Sequence, residues 1–232
     1  MSIPKIIHYC WFGGGPISAE SQKCMESWKK YCPDYKIIEW NDQNFDISTN
    51  RYAQQAYEAK KYAFVSDYVR LAVLYEYGGI YLDTDVELVR PLDELLELPG
   101  FMGFQTNNEV ATGLGFGARK GNSVVQALLR DYDALDFLKA DGSADLTPCP
   151  ERNTRVLQAL GVRKDGTRQS IAEMEIFPAE YFCPMDLYSR ELRVTPKTYS
   201  IHRYAESWKP KPSAVSRILQ RLLKKHYYTW YC

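Results

Sequence analysis

The stretch that most constrains this chain is a helix that stops at two glycines and gives way to a short apolar strand ending in acid. Phe64, Tyr68, Leu71, Ala72 and Tyr75 recur at i, i+3, i+4 spacing and make one buried helical face. Gly78-Gly79 supplies the left-handed stop that ends such a helix. Ile80-Tyr81-Leu82 then reads as a strand, Asp83-Thr84-Asp85 follows at once, and Val86 to Val89 resumes an extended pattern up to Pro91. Two aspartates therefore sit where a buried strand emerges, and ligands of α/β sheets collect at the carboxyl ends of strands.

The N-terminal region agrees. Ile3 to Tyr9 is rich in β-branched residues and runs into a turn at Trp11-Phe12-Gly13-Gly14-Gly15-Pro16. Ser18 caps a helix through about Tyr31, with Cys24 and Trp28 on one face. Tyr35 to Trp40 is a second strand. The first 42 residues thus spell β-α-β, the opening of a mononucleotide-binding half-sheet. The glycine run is not a P-loop, because no Gly-Lys-Ser/Thr follows it.

Arg51 to Tyr77 is helical in composition, with an interruption before Ala63. Farther on, Gly100–Phe104 and Gly113–Ala118 read as strands lightened by glycine, Asn122–Leu138 as a helix, and Glu175–Pro178 and Tyr199–His202 as short strands. No repeat and no low-complexity linker divides the chain, so residues 1–212 form one catalytic-sized domain, followed by a basic amphipathic tail over 213–232. Arg217, Arg221, Lys224 and Lys225, then Tyr227, Tyr228, Trp230 and Tyr231, suit the interface of an anionic membrane. A closing helix packed on the domain is the other reading of the tail.

Composition narrows the function classes. Among 232 residues, 29 basic side chains balance 29 acidic ones, which argues against bulk electrostatic binding of nucleic acid. No run approaches the roughly 18 apolar residues of a membrane span, and the N-terminus lacks the pattern of a secretory signal. The six cysteines form no CxxC pair and no zinc spacing, so reduced thiols packed as small hydrophobes are expected, in a cytoplasmic protein that touches the membrane at most peripherally.

In an extended strand Asp83 and Asp85 project to the same side, with Thr84 opposite. Two such carboxylates repel unless a cation lies between them or one is protonated. Hard oxygen donors suit Mg²⁺ or Mn²⁺, which keep positions open for water and phosphate oxygens. The bland alternative is a solvated acidic pair, against which the apolar strand and the glycine stop both speak. An apolar strand with DxD also opens the haloacid-dehalogenase phosphatases, but no GDxxxD-type acidic motif follows Asp85.

Ile3 to Gly13 resembles the start of the DXD-containing glycosyltransferases of family 32, and two further segments match their central signature. These are Ser66-Asp67-Tyr68-Val69-Arg70 and the run from Leu74 to Asp85. That family includes yeast-type α-mannosyltransferases and bacterial capsule enzymes, and its pattern is similar to the clostridial glucosylating toxins. The resemblance implies a GT-A type α/β fold, a mixed central sheet flanked by helices. It implies a metal-dependent hexosyl transfer in surface polysaccharide synthesis, from a UDP- or GDP-hexose to a glycan or lipid-linked saccharide, with retention of configuration. A nucleotide-sugar hydrolase and a non-catalytic glycan- or nucleotide-binding protein are the alternatives on the same fold.

Residue by residue, the resemblance implies that Asp85 binds Mn²⁺ or Mg²⁺ directly. Asp83 contacts the ribose or donor sugar and the water shell of the metal, and His202 is a third ligand. Arg203 stands where family members often carry a second histidine. Asp67 accepts hydrogen bonds from donor-sugar hydroxyls, and Arg70 reaches the sugar or diphosphate. Trp11 stacks on the nucleotide base, while Ser207 and Trp208 close over the diphosphate. Gly113 to Ala118 resembles the acceptor-side strand, where small residues leave room for an incoming sugar. Without the resemblance, Asp67 and Arg70 at i, i+3 read as an ordinary surface ion pair, and Trp11 as core.

Overall fold

β1 (Ile6–Cys10) is covered on both faces and is apolar apart from His8. Ile7 and Tyr9 enter one core with Trp28, while Cys10 enters the other with Phe64, Tyr68 and Leu71. The structure, a computed structural model, describes residues 2–186 and 189–205. After β1 come α1 (Ala19–Tyr31), β2 (Lys36–Trp40), α2 (Arg51–Glu58), α3 (Tyr62–Tyr77), β3 (Gly79–Tyr81) and β4 (Val86–Leu88). The second half holds β5 (Gly100–Phe104), β6 (Val110–Ala111), β7 (Phe116–Ala118), α4 (Ser123–Asp133) and α5 (Cys149–Ala159). β8 (Gln169–Ile171), β9 (Met174–Phe177), α6 (Ala179–Phe182) and β10 (Ser200–His202) complete it.

The main sheet runs β2-β1-β3-β7-β5-β9-β8, with β6 paired to β5. β1 is parallel to both β2 and β3, β7 is antiparallel to β3 and β5, and β9 is parallel to β5. The order reverses at β1, because α1 carries the chain to one side of it and α2 with α3 to the other. A ligand crevice belongs at the carboxyl ends of strands beside such a switch point. Trp11 follows β1 and Asp83 follows β3, so both stand at that edge.

A second, two-stranded antiparallel ribbon pairs β4 with β10 and sets His202 opposite Val86. The register carries His202 from late in the chain to the residue after Asp85. The fully buried Trp28 ties the ribbon down, because its indole N–H donates to the Val86 carbonyl at 2.7 Å. α1 is thereby fixed to the strand that leaves the acidic turn.

Several sequence expectations are met and several are adjusted. Ser18 caps α1 through the Ser21 N–H, and Gly78 ends α3 at φ 67. The helical run 51–77 breaks at residues 59–61, before Ala63 as expected. The helix expected to reach Leu138 stops at Asp133, and the strand expected from Gly113 begins only at Phe116. Asp83-Thr84-Asp85 is not extended: the Val86 N–H donates back to the Asp83 carbonyl at 3.0 Å, closing a turn. The five described cysteines are free and buried. The tail over 213–232 lies outside the described residues.

His8 lies on β1, fully buried between two polar contacts. Its Nδ1 accepts from the Trp40 indole N–H at 3.0 Å, and its Nε2 donates to the Gly78 carbonyl at 2.9 Å. The ring is therefore neutral, and burial pushes its pKa down to about 4. Neutral His8 is favoured by folding, so its contribution is complete above the ordinary value of 6.5 and is lost as pH falls toward 4. Denaturant titrations across that window should show the wild type losing up to about 3 kcal/mol relative to a His8→Gln variant.

Candidate active site

α3 runs toward the acidic turn and presents Asp67 and Arg70 on one face, three residues apart. They are not a surface pair: 12% of the Asp67 side chain and 6% of the Arg70 side chain are exposed. Arg70 Nη2 lies 3.1 Å from Asp67 Oδ1 and 3.1 Å from Asp83 Oδ1. Its Nε donates to the Ser66 carbonyl at 3.1 Å, and its Nη1 to Thr112 Oγ1 at 3.4 Å and Cys149 Sγ at 3.8 Å. The guanidinium also stacks over the Tyr81 ring, 4.9 Å from its centroid. A charge this deep requires such pairing.

Asp83 is held from three sides. The Tyr81 hydroxyl donates to its Oδ1 at 3.0 Å, Arg70 pairs with the same oxygen, and its N–H donates to the Gly113 carbonyl at 3.3 Å. A Cβ at Gly113 would overlap Asp83 Oδ2 and crowd Arg70 Nη1. The small residue expected to leave space for an incoming sugar instead leaves space for the Asp83 carboxylate. Burial pushes the Asp83 carboxyl above the usual range, against the pull of Arg70 and with the Asp85 charge adding to it. Burial likewise raises Asp67 to about 6, opposed by Arg70.

Asp85 behaves oppositely. Burial works against its charge, but His202 and the backbone N–H of Ala205 outweigh it and hold the carboxyl at about 2. His202 Nε2 lies 3.2 Å from Asp85 Oδ1, and the Ala205 N–H donates to Oδ2 at 2.8 Å. Ligand atoms of Asp83, Asp85 and His202 all lie within 4.8 Å of one another. His202 Nδ1 is buried, with no hydrogen-bond partner among the described residues. Two carboxylates and an imidazole with an unsatisfied nitrogen fit a divalent cation that prefers oxygen and nitrogen donors.

Residues 18–101 match the family described as the glycosyltransferase sugar-binding region containing DXD motif, and Asp83-Thr84-Asp85 supplies that motif. This segment of the chain is similar to the DXD-containing glycosyltransferases. The chain is 30% identical over 151 residues to inositol phosphoceramide mannosyltransferase 3 of Schizosaccharomyces pombe, covering 59% of this chain and 39% of that protein. The chain therefore spans well under half of the yeast protein's length. It is 25% identical over 221 residues to a glycosyltransferase of Acanthamoeba polyphaga mimivirus, covering 90% of this chain and 84% of the viral protein. The solved PaToxG glycosyltransferase shares its fold at a TM-score of 0.52 and 20% identity, over 68% of this chain and 70% of that one. The fold is α/β of GT-A type, with a mixed central sheet flanked by helices. DXD glycosyltransferases generally use a divalent metal, and Asp83, Asp85 and His202 are the residues of this chain that would hold one.

Of the residues singled out in the sequence, Asp67, Arg70, Asp83, Asp85 and His202 form one connected cluster. Trp11 stands at the end of neighbouring β1, half-buried, with its indole N–H donating to the Gly15 carbonyl at 2.6 Å. Ser207 and Trp208 lie outside the described residues. Sequence reasoning missed Tyr81, Thr112 and Cys149, and did not foresee the packing of Gly113 against Asp83. The signal for Cys149 was Pro148-Cys149-Pro150, since proline favours the first helical positions and α5 starts there. Gly113→Ala should displace the Asp83 carboxylate and lower donor turnover at least tenfold while circular dichroism still shows a folded protein.

Proposed function

We propose that this protein is a glycosyltransferase that moves a hexosyl unit from a UDP- or GDP-hexose to a glycan or lipid-linked saccharide in surface polysaccharide synthesis. The observation that carries the reading is the convergence of Asp83, Asp85 and His202 beside a buried, doubly paired Arg70. A Mn²⁺ or Mg²⁺ ion in that group would neutralise charge developing on the departing nucleoside diphosphate. Arg70 supplies fixed positive charge nearby, and its pairing with Asp67 and Asp83 means that little reorganisation is needed as the bond breaks. Asp67 accepts hydrogen bonds from hydroxyls of the donor sugar, and Asp83 from the ribose or sugar. The Trp11 indole, pinned by the Gly15 carbonyl, stacks on the base. Ser207 and Trp208 close over the diphosphate.

Transfer with retention follows if the acceptor hydroxyl attacks from the face of the leaving phosphate, which takes the acceptor's proton. The name of the yeast relative makes mannose the first sugar to try. The 213–232 tail, basic and then aromatic, would dock the protein on the cytoplasmic face of an anionic membrane, near a lipid-linked acceptor.

Turnover of UDP- and GDP-hexoses, assayed with Mn²⁺ in the presence and absence of acceptor glycans, tests the proposal. Sugar transfer to a saccharide supports it, release to water alone identifies a hydrolase, and tight binding without turnover identifies a binding protein. Asp85→Asn should lose at least 100-fold in metal-dependent turnover while keeping its far-ultraviolet spectrum. Trp11→Ala should weaken nucleoside diphosphate binding by roughly five- to tenfold in calorimetry, whichever sugar is attached, because an aromatic stack on a base is worth about 1–3 kcal/mol.

A further inference from the structure

β10 ends at His202, and the next three residues are clamped against the acidic turn. The Arg203 N–H donates to the Asp85 carbonyl at 2.9 Å and the Ala205 N–H to Asp85 Oδ2 at 2.8 Å. The Arg203 guanidinium pairs with Glu87 on the neighbouring strand. Between these anchors Tyr204 adopts φ +51, a left-handed conformation that a side chain bearing an aromatic ring rarely takes. Arg190, itself at φ +61, donates from Nη2 to the carbonyls of Arg203 at 3.1 Å and Tyr204 at 3.2 Å. Two of the five non-glycine residues with positive φ among the described residues thus touch each other beside the site. Strain of this kind persists only where the surroundings over-determine it.

What the strain aims is the ring. Tyr204 is 7% exposed and stands edge-on to the His202 imidazole, with centroids 4.2 Å apart. Its hydroxyl lies 2.8 Å from Cys183 Sγ and donates to Gln105 Oε1 at 3.4 Å, and the Arg190 guanidinium covers the ring at 5.4 Å. A metal-binding histidine is ordinarily oriented by a hydrogen bond from its second ring nitrogen. Among the described residues His202 has no such bond, because Nδ1 has no partner there and the polar contact of Nε2 is Asp85, another member of the same group. Packing must then do what a hydrogen bond does elsewhere.

We propose that Tyr204 is the positioning residue for His202, holding the imidazole in place for cation binding through a backbone conformation fixed by Asp85 and Arg190. The proposal rests on the reading of Asp83, Asp85 and His202 as the cation group. It assigns Tyr204 a role in metal affinity, exerted through the histidine and not through contact with the ion.

The test is Mn²⁺ affinity, read from the resonance signal of the free ion, for wild type, His202→Ala, Tyr204→Gly, Tyr204→Phe and the His202→Ala/Tyr204→Gly double variant. Glycine accepts φ +51 without strain, so the course of the backbone survives loss of the ring. Tyr204→Gly should weaken Mn²⁺ binding about tenfold, Tyr204→Phe less than about twofold, and Tyr204→Gly should change little once His202 is already alanine. Equal losses with and without His202, no loss at all, or a full loss in Tyr204→Phe would each overturn the role of the ring. If His202→Ala itself binds Mn²⁺ like the wild type, the cation reading of His202 falls and takes this proposal with it. A normal His202 effect with a silent Tyr204 removes the proposal alone.

Discussion

A buried guanidinium is the constraint on which the site depends. Arg70 is almost sealed from solvent, and an unpaired charge there would cost several kcal/mol. Its partners come from two elements: Asp67 from its own helix and Asp83 from the turn beyond β3. The pairing therefore joins α3 to the end of the adjacent strand and fixes where the acidic turn can lie. Gly113 follows from the same demand, because the Asp83 carboxylate occupies the space where its side chain would stand. A local choice of glycine on one loop is explained by an ion pair anchored on a helix far from it in sequence.

The two aspartates of the turn are then held by different means. Asp83 faces Arg70 and the Tyr81 hydroxyl, groups rooted in the nucleotide half of the sheet. Asp85 faces His202 and the Ala205 N–H, groups delivered by the β4–β10 ribbon. Their titration divides accordingly, with burial raising Asp83 while the His202 and backbone contacts depress Asp85. Like charges so close are tolerated when one is neutralised or both are compensated, and the protein compensates each from a different side. The turn is the place where the two halves of the fold meet.

Much of this arrangement was legible in the sequence, for identifiable reasons. Periodicity from Phe64 to Tyr75, the Gly78-Gly79 stop and the apolar Ile80-Tyr81-Leu82 each depend on local backbone and burial preferences, and these survived packing. Ser18 and Gly78 terminated helices as their chemistry predicts. What escaped notice was non-local. No periodicity marks Thr112 or Cys149 as neighbours of Arg70, since they arrive through a loop and a helix from other parts of the chain. The expectation that Asp83 and Asp85 would share one face of an extended strand failed because Leu82 has no successor in the ladder. Once pairing ends, the chain closes a turn onto Val86, and the carboxylates converge through that turn.

The same reasoning explains why the histidine was readable only as a type and not as a geometry. An isolated histidine in a short strand is compatible with many environments, and nothing within Ser200–His202 selects among them. Its place beside Asp85 follows from the register of β10 on β4, which sets His202 opposite Val86, on the ribbon face that also carries Leu88. A one-residue slip of β10 would turn His202 to the opposite face of the ribbon, the one that carries Glu87. The pairing register of a short ribbon is thus what brings in the third member of a candidate metal group.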